Sequence, residues 1–109
     1  MKKLSLCFLA LFAMGLSTYA NAASVQGKIK YVFAGKDNWY GVRFGLDITN
    51  DATNGICNTA FVYTEPKPDN GHNQKVAIFT AAYMAGKEVL MTVIPGRNGY
   101  CELVEGYMK

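Results

Sequence analysis

The stretch from Asn73 to Gly86 constrains the fold most, because it is the one convincing helix beyond the N-terminus and it has almost no polar face. Between residues 76 and 85 only Thr80 and Tyr83 carry polar tips. A helix that covers one side of a small sheet normally keeps a polar stripe toward solvent. The pattern therefore predicts a helix that is covered on two sides, with Asn70 or Asn73 as its N-cap and Gly86 just after its end.

The first 22 residues are typical of a secretory signal peptide. Two lysines form a charged start, residues 4 to 16 are mostly apolar, and residues 20 to 22 form an Ala-Asn-Ala cleavage site. The apolar run is shorter than the roughly 20 residues that span a bilayer, and no second run follows. We therefore expect removal of residues 1–22, a single domain over residues 23–109, no remaining membrane span, and a secreted or periplasmic location.

Removal of the signal changes the charge and the cysteine count. Without Lys2 and Lys3, nine of the eleven Lys and Arg residues remain against eight Asp and Glu. The domain is then nearly neutral and lacks the basic footprint of a nucleic-acid-binding protein. One of the three cysteines, Cys7, is also lost. The two that remain in an exported chain, Cys57 and Cys101, are most simply paired as a disulfide.

Five segments of the mature chain have the alternation or the composition of β-strands, and the helix lies between the third and the fourth. They cover residues 25–33, 39–48, 57–64, 89–94 and 100–107. This order predicts an all-β fold, a five-stranded barrel of the oligonucleotide/oligosaccharide-binding (OB) type with a single helix between strands 3 and 4. An open α+β sheet with one helix across it is the rival interpretation.

The positions of the two cysteines favour the barrel. In an OB barrel, strand 3 closes against strand 5 and the two run parallel. Cys57 opens strand 3 and Cys101 lies at the start of strand 5, so parallel pairing brings them together. A disulfide there would close a loop of about 45 residues and contribute roughly 4 kcal/mol in the chain-entropy model.

The helix divides into a bulky face and a face of mostly small residues. At 100° per residue its bulkiest side chains, with Phe79 among them, share one side, which suits a plug at the bottom of a barrel. The opposite side is a predicted oligomer interface, although an exposed alanine face would cost little because Ala is the best helix former. The bulky face holds Val76, Phe79, Thr80 and Tyr83, and the opposite face holds Ala77, Ile78, Ala81, Ala82, Met84 and Ala85.

The run from Ala81 to Gly96, AAYMAGKEVLMTVIPG, resembles the helix-Gly-strand-Pro-Gly segment of subtilase cytotoxin B subunits and of small secreted proteins related to them. The rest of the mature chain is similar to them in element order. Those B subunits are OB barrels that bind cell-surface glycans as homopentamers, carry a toxic A subunit, and line a central pore with their helices. The resemblance implies a glycan ligand, a homopentamer and an exported A-like subunit, and it would explain a helix with two covered faces.

The chain departs from that family at the glycan pocket. The B subunits use a serine on strand 1 and a tyrosine at the end of strand 4, and the matching positions here are Gln26 and Val93. The sialic-acid contacts of the family therefore do not carry over. Either the ligand differs or this barrel lacks that activity.

The mature chain lacks the usual catalytic and metal-binding combinations. Its one serine, Ser24, lies beside the expected new terminus, and its one histidine, His72, is expected in a loop. The residues needed for a Ser-His or a Cys-His nucleophilic site are therefore missing. No CxxC, HExxH or histidine cluster suggests zinc or redox chemistry. Glu102 and Glu105 are expected on opposite faces of a strand, which disfavours a carboxylate pair. We predict a non-enzymatic protein without metal or cofactor.

A sugar site commonly combines an aromatic ring for stacking with polar side chains for the hydroxyl groups. Trp39 and Tyr63 are the predicted rings, because they lie off the apolar stripes or near strand ends; a lone Trp in a small domain also commonly caps the core. The predicted polar partners are Gln26, Lys28 and Arg43. The prediction is a secreted binding protein that resembles a glycan-binding toxin B subunit. The alternative is a solitary periplasmic barrel that binds another protein, as an inhibitor or an envelope-stress factor.

Overall fold

The computed structural model of the chain describes residues 22–35 and 40–109. Those residues form one long helix and five strands, with a short 3-10 turn at Arg97–Gly99. The elements are β1 (Ala23–Ala34), β2 (Val42–Asp51), β3 (Asn58–Thr64), α1 (His72–Ala85), β4 (Glu88–Pro95) and β5 (Tyr100–Met108). The predicted signal peptide lies outside the described residues except for Ala22. No helix in residues 22–35 and 40–109 has the length and apolarity needed to cross a membrane.

The strands close into a barrel in the order β1-β2-β3-β5-β4. β1 pairs antiparallel with β2 along most of its length, and its first half also pairs with β4, from Ala23 opposite Val93 to Lys28 opposite Glu88. β3 and β5 run parallel and complete the circle. The predicted OB-type barrel with its helix between strands 3 and 4 is confirmed. The rival open sheet is wrong, because the pairing of β3 with β5 leaves the sheet closed.

The disulfide predicted from the cysteine count is present. Cys57, one residue before β3, is bonded to Cys101 in β5, and their Cα atoms are 5.0 Å apart. Both residues are buried and belong to the main hydrophobic core. The bond therefore ties together the starts of the two parallel strands that close the barrel.

The core fills the barrel with the inward-facing residues of its strands. Alternation along β1 buries Val25 and Ile29 as predicted, but Tyr31 and Phe33 of the same stripe are exposed. The register shifts between Ile29 and Tyr31, and this second half of β1 pairs with β2 alone. β1 therefore extends beyond the part of the barrel that β4 covers, and carries two aromatic rings out of the core.

Helix α1 packs against the barrel through Phe79 and Ala82, which are fully buried. The Phe79 ring contacts Phe44 edge-on, with their centroids 5.8 Å apart. Ala82 was predicted on the oligomer face, and that placement is wrong, because a residue three positions after Phe79 lies on the same side of a helix. Tyr83, predicted as part of the plug, is exposed near the end of the helix.

The ends of α1 use the residues that the sequence indicates, with one shift at the start. Asn70 Oδ1 accepts the backbone N–H of His72 at 3.0 Å, while Gly71 takes the cap position in a left-handed conformation. Gly86 ends the helix, also left-handed, and its N–H bonds the carbonyls of the last turn. The helix therefore begins one residue earlier than predicted and ends where predicted.

Candidate ligand-binding surface

Six residues at one end of the barrel form an aromatic–arginine cluster. It joins the end of β1, the start of β2, the middle of β3 and the β4–β5 connection. The members are Phe33, Tyr40, Arg43, Phe61, Arg97 and Tyr100. In OB barrels the face of strands 2 and 3, together with the β1–β2 and β4–β5 loops, binds oligonucleotides and oligosaccharides. The cluster therefore occupies the part of this fold where ligands are most often bound.

Arg43 lies close to two aromatic rings in this cluster. Its guanidinium carbon is 4.0 Å from the centroid of the Phe33 ring and 5.2 Å from that of Phe61. Phe61 is in turn stacked on Tyr100, with their centroids 4.3 Å apart. Cation–π contacts of this length are favourable, and more so where water is excluded. The guanidinium therefore lies against aromatic rings, with its Nε atom buried.

Tyr40 is a buried member of the cluster and has an unusual backbone conformation. Both Tyr40 and Gly41 have positive φ angles, 58° and 53°, which a bulky residue such as Tyr rarely adopts. The Tyr40 ring meets Phe61, Tyr63 and Tyr100 edge-on at centroid distances between 5.3 and 5.6 Å. Strained residues of this kind persist where their surroundings hold them, and they are common at binding sites.

The β4–β5 connection is fastened to the cluster by three polar contacts. Arg97 donates its backbone N–H to the Tyr63 hydroxyl at 2.5 Å, and its guanidinium lies 3.1 Å from a carboxylate oxygen of Glu65. Asn98 Nδ2 donates to the Tyr40 hydroxyl at 2.5 Å. The β4–β5 connection is therefore held against β3 and against Tyr40, just before β2. Burial raises the pKa of Tyr63, so its hydroxyl stays protonated.

The structure separates the predicted ligand-binding residues into two regions. Arg43 lies in the cluster, whereas Gln26 is seven residues along β1 from Phe33, which is roughly 23 Å at about 3.3 Å per residue. Gln26 Nε2 donates to Glu88 Oε1, and Lys28 is exposed opposite Glu88 in the β1–β4 register. These two residues therefore cannot act on a small ligand together with Arg43.

The two predicted stacking rings have different outcomes. Tyr63 is only 1% exposed, so the prediction that its ring stacks on a sugar does not fit the structure; its hydroxyl supports the β4–β5 connection instead. Trp39 lies outside the described residues, directly before Tyr40 in the chain. Phe33 is 46% exposed and lies against Arg43, which makes it the ring best placed for stacking.

Sequence reasoning missed most of the cluster. Phe33 was assigned to the inward face of β1 because strict alternation takes no account of a register shift. Arg97 falls between the fourth and the fifth predicted strands and Tyr100 is the first residue of the fifth, so neither was predicted as a ligand-binding residue. The available signal was topological: once the OB order was predicted, aromatic and arginine residues beside the β1–β2 and β4–β5 loops could have been grouped.

A second exposed feature is the outward face of α1. All five of its side chains are apolar, and Met84 is 80% exposed. The residues on this face are Ala77, Ile78, Ala81, Met84 and Ala85. No charged side chain occurs on the helix after Lys75. The face agrees with the predicted oligomer interface except for the buried Ala82.

The relation between the two carboxylates of β5 differs from the prediction. β5 carries a bulge, because Thr92 is opposite Glu105 while the next residue, Val93, is opposite Leu103. Glu102 and Glu105 therefore lie on the same outer face, at neighbouring register positions. Glu102 Oε2 is 3.5 Å from Lys67 Nζ. The prediction of a non-enzymatic protein then depends on the scarcity of Ser, His and free Cys alone.

The described residues contain no group of three His, Cys, Asp or Glu side chains that could hold a metal ion. The fold and the cluster define the class of protein as an OB-type barrel with a candidate ligand surface at its loop end. The chain matches no protein-family model and no curated protein sequence.

Proposed function

We propose that the mature protein is an exported, non-enzymatic binding protein that recognises a glycan through the aromatic–arginine cluster. The observation that carries this proposal is the position of Arg43 close to Phe33 and Phe61, on the ligand-binding face of an OB barrel. Sugars bind by stacking on an aromatic face beside fixed hydrogen-bond donors, and both are present here.

Export is supported by two features. The N-terminal sequence has the form of a signal peptide, and a buried disulfide is typical of proteins that fold in oxidising compartments. The protein would therefore act in the periplasm or outside the cell, where glycans of cell surfaces are accessible.

The resemblance to subtilase cytotoxin B subunits extends the proposal to an oligomer. A homopentamer would cover the outward face of α1, and such an assembly could carry an exported A-like subunit. The support on the structure is the exposed apolar face with Ile78 and Met84 at its edge. Exposed apolar patches commonly mark protein contacts.

The same face also favours a second candidate function. A solitary barrel that binds another exported protein, as an inhibitor or an envelope-stress factor, would use the α1 face for that partner. The two functions predict different states of the isolated protein, because only the first needs copies of the same chain.

A glycan array probed with the mature protein tests the first function. Wild type is expected to bind a subset of glycans, and Phe33→Ala is expected to lose at least tenfold in affinity because it removes the exposed stacking ring. Tyr107→Ala is the matched control: it removes an aromatic side chain of similar exposure from β5.

Three results can be distinguished. Loss with Phe33→Ala and retention with Tyr107→Ala supports the cluster as the site. The reverse pattern contradicts the location of the site while leaving glycan binding in place. An array without signal for the folded wild type contradicts the glycan function itself.

A further inference from the structure

Arg43 has no acidic partner in the part of the chain that the structure describes. The two ion pairs there join Lys67 to Glu102 and Arg97 to Glu65. Arg97, the other cation of the cluster, is therefore paired, whereas no carboxylate of the described residues pairs with Arg43. A positive charge close to Phe33 and Phe61 with no counter-ion among the described residues is an unusual arrangement for a structural residue.

The hydrogen-bonding groups of Arg43 point to the same conclusion. Its Nε atom is buried and has no acceptor among the described residues. A buried donor without a partner lowers stability unless something supplies the acceptor. The guanidinium carbon lies 4.0 Å from the centroid of the exposed Phe33 ring, and the guanidinium carries five N–H donors in one plane. Among the described residues nothing accepts a hydrogen bond from the buried Nε, so its acceptor has to come from elsewhere.

A planar fork of donors beside an aromatic ring suits a carboxylate or a sulfate group. Two parallel N–H···O bonds from Arg to one oxyanion are both stronger and more directional than contacts to a hydroxyl group. The exposed Phe33 ring beside the guanidinium could then support the apolar face of the sugar that carries the anionic group.

We infer that Arg43 is the specificity-determining residue of the cluster and that it selects a glycan with an anionic substituent, a carboxylate or a sulfate. The inference rests on the proposed glycan-binding function and adds the charge of the ligand to it. It assigns the recognition of charge to β2, away from the β1 position of Gln26.

The experiment compares matched glycans on one array with four forms of the mature protein. The probes are N-acetyllactosamine with and without a 6-O-sulfate, and a galactoside with and without a terminal glucuronate. The proteins are wild type, Arg43→Gln, Arg43→Lys and Lys87→Gln. The last is a control that loses the same charge at an exposed residue after α1.

Wild type should bind at least one anionic probe about tenfold more tightly than its neutral counterpart, and Arg43→Gln should abolish that preference. Arg43→Lys should keep only part of it, because an ammonium group cannot offer the planar fork. Lys87→Gln should behave as wild type. The sulfate and glucuronate arms identify which oxyanion is preferred.

Equal binding of neutral and anionic probes by wild type and Arg43→Gln overturns the inference but leaves the glycan function standing. No binding of any glycan by folded wild type removes the function and the inference together. Asp37→Asn adds a further test, since Asp37 lies outside the described residues. No change is expected, whereas a tenfold gain in anionic binding would show that Asp37 neutralises Arg43 and would overturn the inference.

Discussion

At the scale of single residues, the backbone beside the cluster is the most demanding part of the molecule. Gly41 has a φ of 53°, and a Cβ atom on it would lie 2.2 Å from the Thr64 carbonyl oxygen. That carbonyl belongs to β3, so it cannot move without disturbing the barrel. The close approach fixes where β2 begins, and with it the direction in which Tyr40 presents its ring.

Gly41→Ala should therefore destabilise the fold by about 3 kcal/mol, because both the left-handed conformation and the space are lost. Gly55→Ala is the control, since Gly55 has a φ of 77° but no atom within 4 Å of the added Cβ. It should cost about 1 kcal/mol, from backbone conformation alone. Urea unfolding measures both values. Equal losses for the two variants would contradict the close-approach argument.

For single residues, the sequence indicates which charged side chains leave the core better than it indicates which aromatic rings are exposed. Arg43 lies beside the exposed Phe33 ring, because a charged side chain on the face opposite Phe44 has to leave the core; its role in ligand binding stays a prediction. Tyr63 was misplaced, because nothing in its neighbours shows that the β4–β5 connection will cover its ring. Contacts between residues 34 positions apart are not visible in local patterns.

At the scale of elements, the start of α1 contains the one histidine of the chain. His72 Nδ1 is 3.1 Å from the hydroxyl of Thr64, which is buried. Burial, with a smaller contribution from the charge of Lys75, lowers the pKa of His72 below its ordinary value of 6.5. The folded protein therefore resists protonation of His72 more than the unfolded chain does.

The consequence for stability has a definite sign. Above pH 6.5 His72 is neutral in both states and has no pH-dependent effect, whereas below it the unfolded chain binds the proton first. Wild type should lose stability relative to His72→Gln as the pH falls from about 6.5 toward the lower pKa of the folded state. Urea midpoints at pH 7.5 and pH 5.0 measure this. A constant difference between the two proteins would contradict it.

The disulfide between Cys57 and Cys101 is the second element-scale contribution. It closes a loop across β3, α1 and β4, with a sequence separation of 44 residues. Replacing both cysteines with alanine should lower the free energy of unfolding by roughly 4 kcal/mol. Urea unfolding of the oxidised wild type and the double variant tests this. A loss below about 1 kcal/mol would show that barrel closure is already secured by the β3–β5 pairing.

Element order and types were predictable because each strand alternates and the helix is flanked by Asn70 and Gly86. Faces were less predictable, since one extra residue in β5 and a register shift in β1 reverse the alternation that follows. For α1 the absence of a polar stripe removed the information that normally orients a helix. Ala82 was misassigned for that reason.

At the scale of the whole molecule, the two covered faces predicted for α1 become one covered face and one exposed face. The barrel covers Phe79 and Ala82, while Ile78 and Met84 remain exposed. The nearly neutral charge of the mature chain does not oppose self-association. Whether this face meets a second copy decides between the toxin-like and the solitary function.

Light scattering of the mature wild type should report an assembly of several subunits. Met84→Lys should shift it to the monomer, because a charge within an apolar contact is costly to bury. Asn50→Lys is the control, as it adds the same charge at an exposed position on β2 rather than on α1. A wild-type monomer would contradict the oligomer and favour the solitary barrel.

The central claim is the location of the ligand, and chemical-shift mapping with a glycan that binds on the array tests it most directly. Amide and side-chain signals of Phe33, Arg43, Phe61 and Arg97 should shift upon addition of the glycan. Signals of Gln26 and Lys28, at the far end of β1, should stay in place. Shifts confined to Gln26, Lys28 and the outer face of β4 would contradict the account, because they would place the ligand outside the aromatic–arginine cluster.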